Sequence, residues 1–122
     1  MTINERLISS GAAALPARVA VYVPGTVNVD GDGSAAAEAW TRRTAEAFSR
    51  LFGGATVTDA AGYWVSDSAG LVREAVRIVY ASAPAAVLDE HAAEVLEIVQ
   101  RIKAGMGQEA VSVEVNGALY LV

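Results

Sequence analysis

Phe52-Gly53-Gly54-Ala55-Thr56-Val57-Thr58-Asp59-Ala60-Ala61-Gly62-Tyr63-Trp64, a polar break at Ser66-Asp67-Ser68-Ala69-Gly70, and then Leu71-Val72-Arg73-Glu74-Ala75-Val76-Arg77-Ile78-Val79-Tyr80 form the stretch that decides the fold. The paired glycines can take positive φ and end a helix, and the two runs after them alternate with period two about a turn. A helix followed by an antiparallel hairpin is the reading. In the second run Val72, Glu74, Val76, Ile78 and Tyr80 share one face and Leu71, Arg73, Ala75, Arg77 and Val79 the other. The first set is expected on the core side, with Glu74 near its start.

Upstream, Val19, Val21 and Val23 alternate with Ala20 and Tyr22 until Pro24-Gly25 stops the pattern, which predicts a first strand over residues 18–23. Ser34 stands where an N-cap would satisfy an orphan N–H, and Trp40, Thr44, Ala47, Phe48 and Leu51 then recur at spacings of three and four, predicting a helix over residues 35–52. Downstream, Pro84 opens a second helix with Leu88, Ala92, Val95, Val99 and Ile102 on one side, closed by Gly105 or Gly107. Val111 to Val115, Asn116-Gly117 and the run ending at Val122 predict a final hairpin, because Asn-Gly tolerates the two positive φ angles of a type I′ turn. The order β, α, β, β, α, β with one extra strand predicts a two-layer α+β sandwich, ferredoxin-like βαββαβ with an extra C-terminal hairpin strand. Residues 1–17 read as an N-terminal arm or short helix, able to pack on a neighbour, and residues 18–122 as a single α+β domain.

Composition narrows the function. The chain has 122 residues, 53% of them apolar, a formal net charge of −5 and no cysteine. The charge argues against a sequence-independent grip on nucleic acid, which needs clustered Lys and Arg. The lack of cysteine removes disulfides, thiolate metal sites and a thiol nucleophile together. No apolar run approaches the roughly 18 residues of a membrane span, and the N-terminus does not read as a secretory signal, so the expectation is a cytoplasmic protein with no membrane and no nucleic-acid partner.

Few residues carry recognisable chemistry. Glu74 sits among apolar neighbours, a setting in which carboxylates act as general bases or proton donors, and Trp64 and Tyr63 are near it on the hairpin. The plainer reading pairs Glu74 with Arg73, Arg77 or a helix arginine. Tyr22, Tyr63, Trp64 and Tyr80 either line a cleft or cover an open sheet face. Asn28-Val29-Asp30-Gly31-Asp32-Gly33 matches the opening half of a calcium loop, with Asn28, Asp30 and Asp32 as donors. The twelfth position is Ala39 and Glu38 falls one residue early, so no cofactor is expected and Ca²⁺ is the one metal the spacing admits. His91, the sole histidine, lies at the border of the second helix's stripe and builds neither a triad nor a zinc site alone. No serine sits in a Gly-x-Ser-x-Gly elbow.

Tyr22-Val-Pro-Gly-Thr, Leu51-Phe-Gly-Gly-Ala-Thr, Gly62-Tyr-Trp, Gly70-Leu-Val-Arg-Glu and Gly107-Gln-Glu-Ala-Val, with a Trp in the first long helix, resemble a family of small uncharacterised bacterial proteins found in actinobacteria and on mobile elements. The resemblance supports the fold and the register of residues 18–115 and implies no catalytic residue. An uncovered sheet bearing Val and Leu would expose a large apolar patch, which self-association would hide. The leading functional expectation is therefore a non-catalytic module that forms a homo-oligomer and binds a protein partner or small ligand through Glu74, Trp64, Tyr63, Tyr22 and Tyr80. Two alternatives stand beside it: a cofactor-independent enzyme with a pocket centred on Glu74, and a phage or plasmid accessory protein that inhibits a host system.

Overall fold

A computed structural model describes residues 1–27, 31–32 and 34–122. The chain runs α1 (Ile3–Ser9), β1 (Ala17–Pro24), β2 (Thr26–Val27), β3 (Gly31–Asp32), α2 (Ser34–Phe52), β4 (Thr56–Ser66), β5 (Gly70–Ala83), α3 (Ala85–Glu90), α4 (Ala92–Gly105), β6 (Ser112–Val115) and β7 (Ala118–Leu121). The main sheet has the order β4-β5-β1-β6-β7, and β2 and β3 form a separate antiparallel pair. All neighbours in the main sheet are antiparallel. With β7 set aside, this is the ferredoxin-like strand order, so the α+β sandwich expected from the sequence is the fold.

β1 is the centre of the structure. Val19, Val21 and Val23 are at most 1% exposed and join Phe48 of α2, Leu88 of α3, and Val95, Val99 and Ile102 of α4 in one apolar cluster. On α2 the buried positions are Ala37, Thr41, Thr44 and Phe48, a run of four, three and four that keeps one face against the sheet. Two threonines tolerate this because each hydroxyl donates to the carbonyl one turn back, Thr41 to Ala37 at 2.6 Å and Thr44 to Trp40 at 2.7 Å. A hydroxyl satisfied in this way costs little to bury.

The register corrects the expected core side of β5. Val21 is opposite Val79 and Val19 opposite Ala81, so Val79, Ala81 and Ala83 lie beneath the helices. Val72, Glu74, Val76, Ile78 and Tyr80 lie on the face that no helix covers, and all are half-buried. The physical reason is close approach: the small side chains of Ala17 and Ala81 are among those packed under the helices, and most of the bulk on β5 goes to the other face.

The final hairpin turns at Asn116 (φ 50°) and Gly117 (φ 89°), as Asn-Gly predicts. Asn116 Oδ1 also accepts from the Arg18 amide at 2.8 Å and ties the turn to β1. The second helix is divided at His91, which has φ −103° and donates or accepts through Nδ1 with Glu94 at 2.6 Å. Helix packing is tightest at Gly105, where an added Cβ would lie 2.6 Å from the Trp40 indole.

Gly105→Ala should therefore destabilise the fold. Displacing the indole costs about 1–3 kcal/mol, against a gain of at most about 1 kcal/mol in helix propensity at the last residue of α4. Gly54→Ala, which meets nothing within 4 Å, should be neutral or stabilising. Urea denaturation of the two variants checks the contrast.

Candidate functional site

The β4–β5 hairpin is longer than its neighbours. β1 pairs with β5 only as far as Pro24 opposite Val76, while β4 and β5 stay paired out to Ser66 opposite Gly70. In the protruding part Val72 and Glu74 of β5 have β4 on one side and no β1 on the other, and the chain leaving β1 turns across this gap. Residue 25 must be glycine for that turn, since a Cβ would lie 2.2 Å from the Ala75 carbonyl oxygen. The close approach brings the Gly25 amide and the Thr26 hydroxyl to Glu74, and both donate to its Oε1 at 3.1 Å.

A second connection reaches the same place from α4. Gly107 takes φ +60°, its amide donates to the Ala104 carbonyl and the Gln108 amide to the Lys103 carbonyl. This pair of bonds closes the helix and reverses the chain at Gln108. The Gln108 side chain then donates through Nε2 to the Thr26 carbonyl at 2.7 Å and the Met106 carbonyl at 3.0 Å. A side-chain carboxamide from one end of the sandwich thus holds the turn that in turn holds Glu74.

These elements enclose a cleft of about 440 Å³ lined by Thr26, Trp64, Val72, Arg73, Glu74, Gln108, Glu109 and Ala110. Its chemistry is mixed: an indole 43% exposed, a valine, two carboxylates, a guanidinium-bearing residue and a carboxamide. Glu74 has one oxygen anchored by two donors, and Oε2 has no partner among the described residues. Anchoring fixes the position of the carboxylate and leaves an acceptor and negative charge for whatever enters the cleft.

The sequence-derived candidates separate as follows. Glu74 and Trp64 meet in the cleft. Tyr22 and Tyr80 lie on the same helix-free face but elsewhere: the Tyr22 hydroxyl donates to Glu114 Oε2 at 3.1 Å, and Tyr80 is covered by the Arg18 guanidinium at 3.8 Å. Burial, the bond to Glu114 and the Glu114 charge hold the Tyr22 phenol above its usual value, with Arg18 acting in the opposite direction. It stays a neutral donor at physiological pH. Tyr63 is opposite Arg73 on the other face of the hairpin and is 61% exposed. Glu74 makes no ion pair with the arginines considered for it; Arg77 instead lies 3.5 Å from Asp59. Of the calcium candidates, Asn28 and Asp30 fall outside the described residues, and of Asp32 only the backbone pairing in β3 is described. Among the described residues no group of three His, Asp or Glu is arranged to hold a metal ion.

Gln108, Glu109 and Thr26 stand in two of the motifs that carry the family resemblance but were not read as site residues from the sequence. The signal for Gln108 was present, because a glycine following a helical stripe marks the residue where the chain turns back. For Thr26 there was none, since its place depends on the meeting of β1 with a hairpin fifty residues away.

No protein-family model matches the sequence, and no curated protein matches it. Two solved structures resemble the fold. A phage SAM lyase in complex with S-methyl-5′-thioadenosine superposes with a TM-score of 0.66 at 16% identity, covering 90% of this chain and 91% of that one. A phage SAM lyase in the apo state gives 0.61 at 14% identity, covering 87% of each chain. At these identities the likeness is one of fold.

If the cleft depends on the close approach at residue 25, Gly25→Ala should move the turn away from β5 and release Glu74. The expected result is a loss of about 1–3 kcal/mol or more in stability from forced overpacking, and faster exchange of the residue-25 amide, which donates to Glu74. Unchanged exchange and unchanged stability would show that the turn is not held in this way.

Proposed function

We propose that this chain is an S-adenosylmethionine lyase, working in the cleft around Glu74. The observation that carries the reading is a coincidence: a fold alike over nine-tenths of its length to a phage SAM lyase, and, in this chain, a cleft with an anchored carboxylate beside an indole. The chemistry fits the lining. A sulfonium is a permanent cation, attracted by Glu74 and Glu109 and by the face of Trp64, and an adenine ring stacks well on an indole.

The bond to be broken joins the sulfonium sulfur to the methionine-derived Cγ. The electron pair goes to sulfur, leaving a neutral thioether, S-methyl-5′-thioadenosine. The four-carbon remainder then balances in one of two ways: its own carboxylate oxygen closes on Cγ to give a lactone, or a Cβ proton leaves to a base and an alkene forms. Neither route consumes water or needs a co-reactant. In the first, Glu74 orients the substrate through its ammonium group; in the second, Oε2 is the base. Removal of S-adenosylmethionine would also deprive any host enzyme that consumes it, which joins the enzymatic reading to that of a phage or plasmid accessory protein.

Incubation of the purified chain with S-adenosylmethionine should release S-methyl-5′-thioadenosine, detected by mass spectrometry, with the second product identifying lactone or alkene. Glu74→Gln should lower kcat by about 10²–10⁴-fold, the usual worth of a general acid or base, with the fold intact by circular dichroism. A folded protein that releases no thioether above a blank sinks the lyase reading and returns Glu74 to a binding role.

The homo-oligomer expected from the sequence keeps its own support. The helix-free face carries half-buried Val76, Ile78 and Tyr80 on β5 and, beyond β1 and β6, Leu119 and Leu121 of β7, 57% and 72% exposed. Apolar area of this kind is covered in stable assemblies. Light scattering should give a mass above the 12.6 kDa of one chain, reduced by Leu121→Glu. A single-chain mass for the unsubstituted protein is the contrary result.

A further inference from the structure

A different surface, on the helix side of the sheet, points to a specific exchange between copies. The two helical elements of a ferredoxin-like fold cover four strands, and here the sheet has a fifth, β7. Because β7 is the extra strand, the shortfall falls at its edge. There a groove of about 280 Å³ runs between α3–α4 and β6–β7, with Leu88, Val95, Leu96, Val115 and Tyr120 among its walls and Asp89 at its rim. Leu96 is 46% exposed and Tyr120 56%. The groove has the form of a place for a third helix.

The chain carries a helix with nothing to cover. α1 is well closed at its start by a capping box, in which the Glu5 amide donates to Thr2 Oγ1 at 3.1 Å and the Glu5 carboxylate reaches back to the Thr2 amide. Yet none of its residues is buried, and Ile3, Leu7 and Ile8 are 68%, 49% and 57% exposed. Ile3 and Leu7 are one turn apart and Ile8 adjoins them, so they form a single apolar side. A seven-residue helix is far below the roughly 12–15 residues at which an isolated helix becomes even marginal in water. Its stability therefore calls for a surface that this conformation does not supply. Arg6, three residues from Ile3, borders the apolar side as Asp89 borders the groove, and among the described residues neither is in an ion pair.

We propose that α1 is an exchange arm whose Ile3–Leu7–Ile8 side seats in the α4–β7 groove of a second copy, with Arg6 beside Asp89. The arm completes the helical layer over the fifth strand of its neighbour. The assignment is independent of the lyase reading, since the groove lies on the opposite side of the sheet from Leu119 and Leu121 and shares no residue with the Glu74 cleft.

The absence of cysteine makes the test direct. Copies bearing Leu7→Cys are mixed with copies bearing Leu96→Cys under mild copper-catalysed air oxidation, and mixed disulfides are measured on non-reducing gels. Both positions are exposed, so the substitutions leave the fold in place. The mixed disulfide should form several-fold faster than in a control pairing Leu7→Cys with Glu46→Cys on the exposed side of α2. Adding Ile3→Asp to the arm should slow it about tenfold, the effect of losing one buried aliphatic side chain. A mixed disulfide no faster than the control overturns the proposal. So does rapid closure of an intramolecular disulfide in a dilute Leu7→Cys/Leu96→Cys double variant, which would put the arm on its own groove.

Discussion

The turn after β1 lies against β5 because residue 25 has no side chain, and the geometry of the cleft follows from that contact. With Gly25 against the Ala75 carbonyl, a backbone amide and a hydroxyl come within 3.1 Å of one carboxylate oxygen. The Thr26 carbonyl then faces the end of α4, where Gly107 has already turned the chain so that Gln108 can donate to it. Two glycines, one chosen for close approach and one for positive φ, thus bring three distant segments to one carboxylate. Neither glycine lines the cleft, and neither can be replaced without moving residues that do.

Much of the fold was legible because local chemistry and the global arrangement agree. The valines of β1, the Asn116-Gly117 turn, the glycines after α2 and the helical stripe from Leu88 to Ile102 each specify their element by a separate mechanism, and all point to one topology. The core side of β5 was not legible. Both of its faces mix apolar and charged residues, Arg73 and Arg77 on one and Glu74 on the other, and periodicity alone does not say which one lies under the helices. That choice is made by pairing with β1, where Val21 sits opposite Val79, and pairing is a non-local fact. On α2, a stripe started from the large Trp40 takes in Thr44 and misses Thr41; the buried face begins at Ala37 and includes Thr41, whose hydroxyl donates one turn back.

The site was legible by halves for a similar reason. Glu74 and Trp64 stand out as unusual residues on one strand pair, and the structure brings them to one cleft. Tyr63, adjacent to Trp64 in sequence, is on the opposite face because side chains alternate along a strand. Gln108 and Thr26 look ordinary, and their place at the cleft depends on backbone turns distant in sequence, with Thr26 48 residues from Glu74 and 82 from Gln108. Positioning groups of this kind have no characteristic spacing, since their job is set by where the chain happens to meet itself.

The proposed chemistry also accounts for the lack of a catalytic motif. Hydrolysis of an amide or ester needs a nucleophile, a base to activate it and donors for a developing oxyanion, and those requirements leave recognisable patterns of residues. A sulfonium displaced by its own carboxylate needs none of them, and the elimination route needs only one base, Glu74. The leaving group departs as a neutral thioether, charge is lost and not created as the bond breaks, and the second reactant is part of the same molecule. What such a site has to supply is conformational restraint of the substrate and negative charge near its cationic groups. A carboxylate fixed by two backbone-positioned donors, an aromatic face and a cleft formed where three segments meet provide these with ordinary residues. On this reading the chain's plain composition, with one histidine and no cysteine, matches the demands of the reaction.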